Sequence, residues 1–315
     1  MKNGEKKMRI KDRLETILKA AIDSEAENLK EINDVLNLII KKQDKLNKEL
    51  AGEDYAKTLT TTAGLPINYG DCIMSETDEI QNSIPWKHWK AGSFNKANLN
   101  TEIIDLFHFA PSVLLTAIAN NSELESAEYV DFYSNSDTLE KHRDMLLNFC
   151  KDELTLYTFL KNNIATLGVN LSNVYLVHKI GQPLDTVRLI QMALGTLKNA
   201  LLIYMINNEI TDAKVAINEI YKSYLVKNVL NSFRNDNGYK EGTYLKMWRI
   251  SEDEEKEYED NYIAYGIASV ATDISADELE EYLLTKLTEK YSKAIEYGLK
   301  TNKYNKAIEH SLKTN

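Results

Sequence analysis

Only 4 prolines, 12 glycines and 2 cysteines occur in these 315 residues. So few turn-formers argue against a β-sandwich or a linker-rich array and favour helices. Cys72 and Cys150 are far apart and outside any ligand-like spacing. That excludes a disulfide framework and a cysteine-held zinc, and it fits a reducing cytoplasm. No unbroken run of about 18 apolar residues occurs, so no membrane span is expected. The basic N-terminus, MKNGEKKMRIKDRLETILKAAIDS, lacks the apolar stretch and small-residue cleavage site of a signal peptide. Basic residues are in the minority, 38 against 48 acidic, for a net charge of −10. That balance speaks against nucleic-acid binding, where the whole domain is usually basic. Neither nucleic acid nor membrane is therefore an expected partner.

What is present is apolar residues at helical spacing. The pattern predicts one or two amphipathic helices over 8–54 and a loop over 57–70. A helix over 71–84 should stop before Pro85, because the residue preceding proline is pushed out of the helical region. An unusually apolar helix is expected over 99–120, with Pro111 as a candidate kink. Helical patterns continue over 137–165, 184–207, 211–234 and 276–315. A turn cluster fills 235–244 and a charge run 252–261. No repeat and no defensible strand is visible. The expected fold is all-α, a multi-helix bundle with an N-terminal extension over 1–30, a main domain over 31–250, and an acidic linker and helix over 251–315. Residues 1–30 or the last helix would be available as a dimer arm.

Three segments carry chemistry. EIQNSIPWKHWK, 79–90, packs two of three tryptophans together with lysines and a histidine, composition that suits an aromatic or anionic partner better than a core. Acidic pairs flank it: Glu76 and Glu79 before, Glu102 and Asp105 after. Residues three apart share a helix face. E-x-x-E is common in a chain with 48 acids, and Glu252/Glu255 and Glu278/Glu281 repeat it. Glu102/Asp105 differs, because Ile103, Ile104, Leu106, Phe107 and Phe109 surround it and such a helix is buried nearly all round. No Lys or Arg lies between Ala97 and Lys141 to neutralise the pair. Buried like charges must protonate, pair or bind a cation. Oxygen-only ligands point to Mg²⁺, with Mn²⁺ as a substitute, rather than zinc. His108 on that helix reads as a core residue, not a ligand. The third segment, 224–248, carries an apolar stripe (Val226, Val229, Leu230, Phe233), with Lys227, Asn231 and Arg234 on a neighbouring face and Asn237, Tyr239 and Lys240 in the turn beyond. Alone it reads as a solvated face. Beside a metal it would suit a polyphosphate.

E-x-x-E, a linking W-K-H-W-K, E-x-x-D followed by L-F-H-F, and then K-N-V-L-N-x-F-R-x-x-N-G-Y-K-x-G-x-Y resemble, in this order, the all-α dimeric dUTP diphosphatases of the MazG-like nucleoside triphosphate pyrophosphohydrolases. The resemblance covers roughly 31–250 and departs from the family at Thr77 and Asp78, where small apolar residues are usual. It implies a homodimer that hydrolyses dUTP and dUDP to dUMP. Glu76, Glu79, Glu102 and Asp105 would hold Mg²⁺, with Glu76 or Glu79 directing the water. Gln43 and Asn47 would read the uracil, Trp86, His88, Trp89 and Lys90 would line the base and sugar, and Lys227, Asn228, Arg234, Asn237, Tyr239 and Lys240 would contact the phosphates. The alternatives are a dCTP/dUTP or modified-nucleotide pyrophosphatase of the same fold, and a non-catalytic helical regulator.

Overall fold

The computed structural model describes residues 2–122, 139–249, 256–271 and 274–301. Glu252, Glu255 and residues 302–315 of the expected last helix lie outside the described residues. Eleven α-helices are found there, with a single pair of two-residue strands. The chain divides into two compact units, Met1–Tyr221 and Lys222–Asn315.

In the first unit, α1 (Lys2–Glu27) buries Leu14, Ile17, Leu18, Ala21 and Ile22, a helical stripe. This stripe faces α8 and the 139–149 segment, so the apolar face of α1 is used inside the unit. Asn28 separates α1 from α2 (Leu29–Ala51), which ends at Gly52 with φ at 102°. A short α3 (Tyr55–Thr58) leads into a loop pinned by a Thr60–Pro66 bridge. α4 (Tyr69–Ser83) starts at Asn68, whose side-chain oxygen accepts from the Gly70 and Asp71 N–H groups, and stops at extended Ile84 before Pro85. α5 (Lys96–Ala119) is capped by Asn95 and runs through Pro111 as one helix.

After a 3-10 turn (Leu139–His142) come α6 (Arg143–Phe149), α7 (Glu153–Lys179), α8 (Thr186–Asn208) and α9 (Ala213–Asp236). α4, α5, α8 and α7 pack in that order as a closed ring of four, with α2 against α5 and α1 against α8. α5 and α8 are long and apolar enough to cross a membrane. However, 78% and 72% of their most apolar windows are buried inside the protein, which makes them core helices here.

The second unit holds the later part of α9, the 237–244 turn, β1 (Met247–Trp248) paired antiparallel with β2 (Tyr258–Glu259), α10 (Asp260–Ser269) and α11 (Ala276–Thr301). Its core gathers Phe233, Trp248, Ile263, Leu283, Leu287 and Tyr291. α10 occupies part of the stretch expected to be an acidic linker.

Candidate active site

α4 and α5 are adjacent core helices joined by the 84–95 link. The base of that link is closed by the Asn95 N–H donating to the Ser83 carbonyl at 2.8 Å and by Asn98 Nδ2 donating to Ser83 Oγ at 2.8 Å. Packing of α4 on α5 brings carboxylates from both together. Oxygens of Glu76, Glu102 and Asp105 lie within 4.8 Å of one another. Glu102 is buried and the other two are half-buried. Three carboxylate oxygens at this spacing suit one hard cation. Glu79 is exposed on the next turn of α4 and its carboxylate is not part of this group. Three of the four expected ligands are therefore brought together. Nearby, burial pushes the Cys72 thiol up to about 11, with the charges of Glu76 and Asp71 adding to the effect.

The link carries the aromatic cluster on the surface. Trp86 and Trp89 meet edge to face at 5.5 Å, and the His88 ring lies 4.8 Å from Trp89. Lys87 sits 5.4 Å above Trp86. Trp89 is 65% exposed, far from the usual fate of a core tryptophan. A small cleft of about 170 Å³ is lined by Pro85, Trp86, Lys87, Lys90 and Ser93.

Gln43 and Asn47 are buried on the face of α2 that meets α5. Gln43 Nε2 donates to Asn47 Oδ1 at 2.8 Å, and Asn47 Nδ2 donates to Ser112 Oγ at 2.9 Å. Ser112 Oγ in turn donates to the His108 carbonyl at 2.7 Å. His108 Nδ1 is 2.8 Å from Gln43 Oε1, so the circuit closes with the ring proton on Nδ1. His108 thus belongs to the amide network, one helical turn from Asp105. Ser112 escaped the sequence reading, its only signal being its place four residues after His108. A separate cavity of about 570 Å³, lined by Asn68, Asp71, Ser172, Tyr175 and His178 among others, contains none of the expected site residues.

In the second unit, Lys227 and Arg234 are buried on α9, while Tyr239 and Lys240 are exposed in the turn. Asn228 Nδ2 donates to Tyr224 Oη at 2.9 Å, and Asn237 Nδ2 donates to the Phe233 carbonyl at 2.8 Å. Arg234 forms a bidentate pair with Asp260, Nε to Oδ2 at 2.8 Å and Nη2 to Oδ1 at 2.7 Å. Burial alone would lower the guanidinium pKa, but the hydrogen bonds and charge of Asp260 outweigh it and raise it. Asp260 was hidden in what the sequence shows as a charge run.

A family model described as dUTPase matches residues 35–239. The chain belongs to the all-α dUTPase family. It is a dUTP diphosphatase, a hydrolase of nucleotide metabolism. No curated protein matches it. The matched segment of this dUTPase contains the Gln43–Asn47 pair, all four carboxylates and the Trp–Lys link, and it ends at Tyr239. Lys240, Tyr244 and Asp260 lie beyond it.

Proposed function

We propose that this dUTPase hydrolyses dUTP and dUDP to dUMP at a Mg²⁺ centre, with Mn²⁺ as a substitute. The observation that carries this reading is the meeting of the Glu76, Glu102 and Asp105 oxygens between two core helices. Those three residues would hold the ion, and their oxygen-only donor set fits it. When bound, the ion would neutralise phosphate charge and favour ionisation of an attacking water. Glu79, exposed one turn along α4, is the carboxylate left to orient that water and accept its proton.

Gln43 and Asn47 would read the uracil edge, since an amide offers both donor and acceptor. Their mutual hydrogen bond and the His108 and Ser112 contacts fix both amides in advance. Trp86, His88, Trp89 and Lys90 would line the base and sugar. Lys227, Asn228, Arg234, Asn237, Tyr239 and Lys240 would supply the phosphate contacts. On this reading the enzyme works as a homodimer in the cytoplasm on free nucleotides, supplying dUMP and keeping uracil out of DNA.

The test is product release from dUTP, dUDP, dCTP, dTTP and UTP, with Mg²⁺ and with EDTA. Metal-dependent turnover of dUTP and dUDP alone is the expected result. Turnover of dCTP as well would retain the metal centre but overturn the assignment of Gln43 and Asn47 as uracil-selective. Undiminished turnover in EDTA would overturn the metal centre.

A further inference from the structure

The carboxylate of Asp260 is wholly buried at the first residue of α10. It accepts four hydrogen bonds: from Arg234 Nε and Nη2, from Tyr244 Oη at 2.8 Å, and from the Asn261 N–H at 2.8 Å. A carboxylate has about four acceptor positions, so none remains for a substrate or a metal. Asp260 can therefore act only through the groups it holds. Two of those groups bracket one turn. Arg234 precedes it and Tyr244 closes it. Between them lie Asn237, Tyr239 and Lys240, residues given to the phosphates above.

The backbone of the turn is tied to the same two residues, beside bonds of its own from Thr243 to Gly238 and from Gly242 to Tyr239. The Tyr239 N–H donates to the Arg234 carbonyl at 3.0 Å, and the Tyr244 N–H donates to the Gly238 carbonyl at 3.2 Å. The Arg234 guanidinium lies 5.9 Å from the Tyr239 ring. It also reaches Asn231 Oδ1 through Nη1 at 3.1 Å and Asn261 Oδ1 through Nη2 at 3.3 Å. Four of its five N–H donors thus have protein partners, which leaves one on Nη1 and fixes the plane in which it points.

We propose that Asp260 is a positioning residue for dUTP hydrolysis, a clasp that joins both ends of the 234–244 turn and presents its side chains to the substrate phosphates. This rests on the reading of Arg234 and the turn as phosphate contacts. Through Asp260, the part of the chain beyond the family match takes part in the reaction.

The test uses the full chain and two probes with Mg²⁺: α,β-imido-dUTP, which carries the phosphates, and deoxyuridine, which does not. Asp260→Asn should weaken the imido-nucleotide roughly tenfold or more, the scale of one charge-assisted hydrogen bond. It should leave deoxyuridine within about twofold. Tyr244→Phe, which removes one hydroxyl and keeps the ring, should give a smaller loss in the same direction, and it carries the test if Asp260→Asn does not fold. The double variant Arg234→Ala/Asp260→Asn should lose less than the sum of the two single losses, because Asp260 acts in part through Arg234. Equal weakening of both probes in folded variants would make the clasp merely structural and overturn the proposal. If the clasp variants bind normally while Arg234→Ala weakens the imido-nucleotide, the proposal falls but Arg234 keeps its phosphate role. If Arg234→Ala also binds normally, the phosphate reading itself falls, and the proposal with it.

Discussion

At the scale of single residues, spacing decides what each carboxylate can do. Glu102 is buried within 4.8 Å of two other carboxylates, whereas Glu79 is open to solvent. Glu102→Gln should lower kcat at least ~100-fold, since it strips one charged ligand from a hard-cation site. It should also abolish the Mg²⁺-dependent rise in Tm seen with a non-hydrolysable nucleotide, a mass-action effect that calorimetry reads directly. Glu79→Gln should cost a similar factor in turnover but keep that rise. Gln43→Ala should raise KM for dUTP about tenfold and destabilise the fold by about 1–3 kcal/mol in urea titration, because His108 and Asn47 each lose a buried hydrogen bond. The Glu102/Asp105 pair was legible in the sequence because apolar neighbours left it nowhere to go. Ser112 and Asp260 were not, because a lone serine and an acid in an acidic run give no sign of their partners. Those partners come from another helix and from a turn 16 to 26 residues away.

At the scale of elements, the helices were legible wherever an apolar stripe met a plain stop signal. α4 ends before Pro85 as expected, and Asn68 and Asn95 set the starts of α4 and α5. α7 was poorly legible. The helical pattern lies over 137–165, yet the helix runs Glu153–Lys179 from an Asp152 cap. Gly168, Asn170, Ser172 and Asn173 make its later half look like a turn. The structure supplies the reason for one of these. A Cβ on Gly70 of α4 would stand 2.2 Å from the Ser172 nitrogen and 2.8 Å from the Gly168 oxygen. The two helices approach so closely that their backbones nearly touch. Gly70→Ala should therefore destabilise by about 3 kcal/mol or more, since backbone rather than a side chain must move. A Cβ on Gly168 meets Met74 Cγ at 2.9 Å, the flexible part of a side chain. Gly168→Ala should cost about 1 kcal/mol, and the difference between the two variants can be read from urea midpoints.

At the scale of the whole molecule, two cores are built from different material. The first is a ring of helices packed mostly through aliphatic side chains, with Phe107, Tyr157 and Tyr175 among them. The second is aromatic, with Phe233, Tyr244, Trp248 and Tyr291 in mutual contact. Composition turns acidic after residue 250, which suggests a domain boundary there. In the structure Trp248 shares a core with Ile263, Leu283 and Leu287 from beyond that point. A chain cut after residue 250 should expose Trp248. In a Trp86→Phe/Trp89→Phe background, its fluorescence should shift to the red relative to the full chain, and an unshifted spectrum would show that the second core survives without α10 and α11.

The burial of α5 against α8 also has a timetable. α5 is apolar enough to be taken for a membrane segment, and one of its main packing partners does not yet exist when it leaves the ribosome. The ~70 residues from the end of α5 to the start of α8 take roughly ten seconds to synthesise at ordinary elongation rates. During that interval α2 and α4, already made, are its available cover. Early docking of these helices would shield the nascent chain from the insertion machinery and from aggregation, and translation pauses between the codons for residues 120 and 186 would lengthen the exposure.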